Sequence, residues 1–200
     1  MPDLITVVAA AGLSTRFEGG DKLLALYRGK PLAAHIADTL VDMEIEPRFA
    51  ICPRDNPARA ELFVARGFQI VWNGKPEEGL GHSLALGATR ARELAASGML
   101  LCLADMPHVS HEHLERLLAV RKGQAIIATE VAGVRMPPVL FPPSVYSRLA
   151  VLTGDRGAKS LLDEARTVEA DTGLAHDVDM RCDLDAVSPA VRGPGGASAE

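Results

Sequence analysis

Short apolar runs alternate along the chain with longer segments whose apolar residues return every three or four positions. The short runs read as buried strands and the longer ones as amphipathic helices. In order, the pattern predicts a strand over Leu4–Ala10, a helix over Pro31–Val41, a strand over Arg48–Cys52, a helix over Pro57–Arg66 and a strand over Gln69–Trp72. It continues with a helix over His82–Ala96, a strand over Met99–Leu103, a helix over Glu112–Arg121 and a strand over Ala125–Ala128. Such alternation specifies βαβ units and a mostly parallel sheet covered on both faces, a single-domain α/β sandwich of three layers. Pro31 suits a first helical turn, and Ser110 can cap the helix that turns Leu114, Leu117 and Leu118 inward. Past Ala128 the pattern changes: Val131–Phe141 carries Gly133 and Pro137-Pro138, and Pro142-Pro143-Ser144 opens a short helix. That stretch reads as an antiparallel excursion from the sheet, a flap.

Composition narrows the functional classes. Two hundred residues, 48% of them hydrophobic, suffice for one full core, and no Pro/Gly/Ser-rich linker interrupts the chain before Val187–Glu200, which reads as a frayed tail. A net charge of -5 provides no long-range attraction to nucleic acid or to an anionic membrane, so a small-molecule partner is expected and any bound anion must meet local cations or metal. The apolar run after Asp3 is short and lacks a basic flank, and no run approaches the roughly 18 residues of a membrane span, which fits a cytoplasmic protein. Cys52, Cys102 and Cys182 are far apart with no C-x-x-C spacing, and the expectation is free thiols.

Candidate chemistry gathers where strands should end. The run into Ala9-Ala10-Ala11-Gly12-Leu13 breaks into small residues and then delivers Arg16 and Lys22 within one loop's length. Small residues let the backbone approach a polyphosphate, and two cations on one loop suit a triphosphate. The spacing is neither a P-loop nor a G-x-G-x-x-G dinucleotide turn. Met99–Ala104 reads as a central strand that stops at Asp105-Met106-Pro107, leaving Asp105 at its tip, where a carboxylate can hold Mg²⁺. Asp177-Val178-Asp179 would place two acids on one strand face, beside a metal held by Asp105. Gly79-Leu80-Gly81-His82-Ser83 leads into a helix whose amides and Ser83 hydroxyl could meet a base or ribose. His108, His111 and His113 lack ligand spacing and read as a polar helix start. No nucleophile signature is present, so covalent catalysis is disfavoured.

Taken together, Ala10-Ala11-Gly12-Leu13-Ser14-Thr15-Arg16-Phe17 with Asp21-Lys22-Leu23-Leu24 resembles the L-A-A-G-x-S-x-R-M-G…K-L-L signature of MobA-like nucleotidyltransferases, molybdenum cofactor cytidylyltransferases in particular. Gly29-Lys30-Pro31-Leu32, Gly79–Leu84, Ala104–Pro107, Pro138–Phe141, Gly154–Ala158 and Asp177–Asp179 follow in the family's order. Departures are Phe17 for Met, His82 for Ser, Ala104 for Gly, Arg135-Met136-Pro137-Pro138 for Arg-Gly-His-Pro and Met180-Arg181-Cys182-Asp183 for Thr-Pro-Glu-Asp, most of them at the acceptor end. The resemblance implies a nucleotide-diphospho-sugar-transferase-like domain over residues 1–187 and a flexible tail over residues 188–200. It implies Mg²⁺-dependent transfer of CMP from CTP to molybdopterin or the molybdenum cofactor, with a molybdoenzyme of the xanthine dehydrogenase type as recipient. Lys22, Arg16 and Asp105 would be catalytic; Ala10, Ala11, Gly12, Leu13, Gly79, Gly81 and Ser83 would join Arg16 and Lys22 around the nucleotide; and Asp105 and Asp179 would hold the metal. Ala11, where a guanylyl-transferring branch has Gly, would narrow the base pocket. Guanylyl or sugar-phosphate nucleotidyl transfer on the same fold, and non-catalytic delivery of cofactor, are the rival readings.

Overall fold

The short apolar runs are strands, and the segments of longer period are the helices that cover them. The computed structural model describes residues 2–13, 17, 20–154 and 159–175; the expectations for Arg16, residues 155–158 of the motif that starts at Gly154, Asp177, Asp179 and the tail lie outside them. In chain order the elements are β1 (Ile5–Ala9), β2 (Leu26–Tyr27), β3 (Lys30–Pro31), α1 (Leu32–Asp42), β4 (Arg48–Pro53), α2 (Pro57–Val64), β5 (Gln69–Asn73) and α3 (Gly79–Glu93). Then come β6 (Met99–Leu103), α4 (His111–Ala119), β7 (Ile127–Val131), β8 (Val134–Phe141), α5 (Tyr146–Leu149), α6 (Lys159–Leu162) and β9 (Arg166–Glu169). β2 and β3 form a two-stranded antiparallel ribbon; the other seven strands form one sheet in the order β5-β4-β1-β6-β8-β7-β9. Every neighbouring pair in it is parallel except the two that involve β8.

Alternate side chains of the central strands β1, β4 and β6 enter separate cores. Val8, Ala50, Cys52, Leu100 and Cys102 pack under Ile36 and Leu40 of α1, Phe63 of α2 and Leu114 and Leu117 of α4. Ile5, Val7, Phe49, Ile51, Met99 and Leu101 pack under Leu84, Ala88 and Ala91 of α3, Tyr146 and Leu149 of α5 and Leu161 and Leu162 of α6. Helices thus cover both faces, as a buried parallel sheet requires. Among the described residues no helix is long and apolar enough to cross a membrane.

Two expectations need correction, and one strand was not foreseen. The stretch Val131–Phe141 is no flap: β8 is inserted between β6 and β7 in the main sheet. The reason is burial, because Leu140 enters one core while Val139 and Phe141 enter the other. The turn sits at Ala132 and Gly133, both with positive φ, and Pro137-Pro138 coincides with a register shift opposite Ala128 and Thr129, where missing N–H donors are tolerated. α3 begins at Gly79 rather than His82, and β9 is an edge strand whose mostly exposed Arg-Thr-Val-Glu carries no apolar alternation.

α4 is fastened to the sheet by a polar chain. Thr129 Oγ1 donates to the Pro138 carbonyl at 3.0 Å, so it accepts from His113 Nε2 at 2.8 Å. Arg116 Nη2 lies 3.2 Å from His113 Nδ1, the ring's remaining acceptor. His113 is therefore neutral and Nε2-protonated, and burial, aided by Arg116, holds its pKa below the ordinary value.

Two stability predictions follow from these placements. Phe141→Ala should cost about 3–5 kcal/mol in urea unfolding, the loss of a fully buried phenyl group; a loss within about 0.5 kcal/mol would return the segment to a peripheral flap. For His113 the unfolded chain binds the extra proton first, so its contribution is complete above roughly pH 6.5 and disappears as pH falls through the lowered folded value. Between about pH 7.5 and 5.5 the wild type should lose more stability than His113→Gln, whose amide still donates to Thr129; equal losses would show that His113 is not the titrating group.

Candidate active site

β1 and β6 run side by side in the same direction, so the chain leaves both at one end of the sheet. The pairing of Ala9 with Leu103 is extended by Ala104 N–H donating to the Ala9 carbonyl at 3.1 Å. The loop after β1 and the turn after β6 thereby line a common cleft of about 380 Å³, with Ala11, Gly12 and Leu13 on one side and Asp105 on the other. Lys22 arrives from a 3-10 turn, Lys22–Leu24, capped by Asp21, whose Oδ1 accepts the Leu23 N–H at 2.9 Å. Its Nζ donates to Asp105 Oδ2 at 2.8 Å; the lysine side chain is 7% exposed and the carboxylate 31%.

The opposite wall is Pro76, Glu77, Gly79, Leu80 and Ser83 at the start of α3. Ser83 is buried, and its Oγ accepts from Asn73 Nδ2 at 3.2 Å, which leaves the hydroxyl proton to donate elsewhere. Asn73 Oδ1 accepts the Lys75 N–H at 2.8 Å, so one buried amide orients both the serine and the loop that leads into α3. Gly79 has φ 72°, which suits glycine, and lines the cleft. Gly81 does not. Its N–H donates to the Gly154 carbonyl at 2.9 Å, and a Cβ there would lie 2.5 Å from that same oxygen, so glycine is needed for packing.

Behind the loop stands Arg59 of α2, 5% exposed. Its Nη1 donates to the carbonyls of Ala10 and Gly12, each at 2.8 Å, and its Nε to Asp21 Oδ2 at 2.6 Å. Asn56 Nδ2 donates to the same carboxylate oxygen, while Asn56 Oδ1 caps α2. Ala10 is thus behind the cleft rather than in it. Neither nearby thiol is a nucleophile: burial pushes Cys52 up to about 12 and raises Cys102 also.

The model of the MobA-like NTP transferase domain matches residues 6–170, which span every element of this cleft described above. The chain belongs to that family. PucB, a purine catabolism protein of Bacillus subtilis (strain 168), is 29% identical over 95% of this chain and 98% of its own. The molybdenum cofactor guanylyltransferase of Burkholderia vietnamiensis (strain G4 / LMG 22486) is 26% identical over 84% of this chain and 81% of its own. The crystal structure of Rv0371c from Mycobacterium tuberculosis H37Rv superimposes with a TM-score of 0.81 at 26% identity, covering 92% of this chain and 96% of that one. A manganese complex of Rv0371c superimposes at 0.76 with 25% identity, over 92% and 97%. The fold is that of the nucleotide-diphospho-sugar transferases.

Within this MobA-like nucleotidyltransferase, the structure brings together Ala11, Gly12, Leu13, Lys22, Gly79, Ser83 and Asp105, and leaves Ala10 and Gly81 outside the cleft lining. Arg16 and Asp179 lie outside the described residues. Sequence reasoning missed Arg59, Asp21 and Asn73; the buried positions of a short helix starting Asn56-Pro57 were the available sign for Arg59. Asp105 fits a hard divalent cation, since its carboxylate already receives an ammonium group. Among the described residues no three His, Cys, Asp or Glu side chains converge, so a cation held at Asp105 would draw further ligands from outside such a cluster, substrate phosphates and water included.

With Lys22 2.8 Å from Asp105, a divalent cation taken up by that carboxylate in the nucleotide-free protein would have to compete with the lysine. Lys22→Ala should therefore raise Mn²⁺ affinity in the absence of nucleotide by roughly threefold to tenfold, read by calorimetry. Unchanged or weaker binding would show that the pair does not compete with metal.

Proposed function

We propose that this nucleotidyltransferase moves CMP from CTP onto the terminal phosphate of molybdopterin, or of its molybdenum form, and releases pyrophosphate. The observation that carries the reading is the meeting of Lys22 and Asp105 in one cleft with the small-residue loop Ala11–Leu13. An acceptor phosphate oxygen attacks the α-phosphorus as the bond to the bridging oxygen of pyrophosphate breaks. The nucleophile is already an anion, so the barrier lies in charge repulsion and alignment rather than in making a base.

Each residue has a role suited to that barrier. The amides of the Ala11–Leu13 loop would hold the triphosphate close to the backbone. Lys22 would leave Asp105 for the phosphates and offset charge growing on pyrophosphate, with Arg16 beside it as the resemblance implies. Asp105, joined by Asp179 on the same ground, would hold Mg²⁺, which when bound draws oxygens of both substrates together and screens their charge. Ser83 would donate its free hydroxyl proton to base or ribose. For the acceptor, support comes from the guanylyltransferase relative, and for a divalent metal from the manganese complex. For CTP it comes from Ala11, which lines the cleft while only 2% exposed.

The protein should release pyrophosphate when mixed with Mg²⁺, molybdopterin and CTP, and much less with ATP, GTP or UTP. Asp105→Asn should lower the rate by roughly 10²- to 10³-fold without unfolding. Release with GTP alone would make the enzyme a guanylyltransferase, and absence of release with any of the four nucleotides would favour cofactor delivery.

A further inference from the structure

Arg59 and Asp21 form a nearly sealed ion pair, with side chains 5% and 14% exposed. The cost of removing two charges from water largely offsets their attraction, so such a pair contributes little to stability by itself. Its arrangement points to another role. The three bonds of Arg59 described above reach two separate pieces of the cleft: the carbonyls of Ala10 and Gly12 on the loop after β1, and the carboxylate that caps the turn bearing Lys22. One planar guanidinium therefore fixes the distance between the phosphate loop and the catalytic lysine.

Peptide geometry extends this to the loop's donors. In a planar trans peptide the carbonyl and the following N–H point in opposite directions. Holding the carbonyls of Ala10 and Gly12 toward Arg59 turns the N–H groups of Ala11 and Leu13 the other way, on two residues that line the cleft. Alternate amides facing one side make an anion-binding concavity, and donors fixed before the ligand arrives need no reorganisation when charge develops.

We propose that Arg59 is a positioning residue: from behind the loop it presets the amides of Ala11 and Leu13, and through Asp21 the place of Lys22, for the polyphosphate of the nucleotide. This rests on the nucleotidyltransferase reading of the cleft but not on the identity of base or acceptor. The probe is accordingly inorganic tripolyphosphate, measured by calorimetry in the presence of Mg²⁺ at a temperature where circular dichroism shows each protein folded.

Arg59→Met should weaken tripolyphosphate binding roughly ten- to a hundredfold, and Arg59→Lys nearly as much, because one ammonium cannot reach both carbonyls and Asp21. Asp21→Asn, which keeps an oxygen for the Leu23 N–H, should weaken it less and serves as the test should Arg59→Met fail to fold. Full affinity in Arg59→Lys would overturn the proposal, showing that positive charge suffices. So would variants that melt at lower temperature yet bind tripolyphosphate like the wild type, the signature of a purely structural arginine. Wild-type protein that binds no tripolyphosphate would overturn both this inference and the polyphosphate reading of the cleft. A preference for GTP in turnover would revise only the base and leave this result standing.

Discussion

The parallel pairing of β1 with β6 is the constraint on which the site depends. Strands that run in the same direction and in register, Ala9 beside Leu103, must release their loops at the same end, so the Ala11–Leu13 loop and the Asp105 carboxylate, from distant parts of the chain, become neighbours. A slip of one residue would turn Asp105 to the opposite face of the sheet and leave Lys22, 83 positions earlier, without its carboxylate. The helices enforce this register by burying alternate residues of both strands in separate cores.

Among the described residues each of the two buried cations at the site, Lys22 and Arg59, faces a carboxylate, but the pairs differ in access to water. Lys22 meets a carboxylate that is one-third exposed, so an incoming ion or phosphate can exchange with either partner. Arg59 and Asp21 are closed off and bonded to main chain besides, which suits a fixed frame. A chain with net charge -5 offers polyanions no general attraction, so any polyanion bound in the cleft would depend on local arrangements such as these for recognition and charge neutralisation.

Most of the fold was legible because its elements bury one side. Short apolar runs marked β1, β4 and β6, and Ser110 marked the start of α4, where its hydroxyl accepts the His113 N–H. β9 was not legible, since an exposed edge strand needs no apolar alternation. β8 was misread because glycine and paired prolines signal irregular chain, while the Val139–Phe141 run that decides its burial is only three residues long. At the site, Lys22 and Asp105 were identified singly from local composition. Their contact, and the inward turn of Arg59, depend on which segments the sheet brings together, and no window of local sequence holds that information.

The position of β8 also fixes the order in which the molecule can be completed during synthesis. β1, β4, β5 and β6 have all their mutual partners once residue 103 has left the ribosome. β7 emerges next but cannot join, because the strand that separates it from β6 has yet to be made. Until Phe141 emerges, the nascent half-sheet carries β6 as a raw edge lined by Met99, Leu100 and Leu101, open to pairing with another chain. The interval between residues 103 and 141 is thus a stage of biogenesis at which the edge of β6 stands open, and the antiparallel strand that ends it covers that edge and admits β7, leaving β9 to complete the sheet.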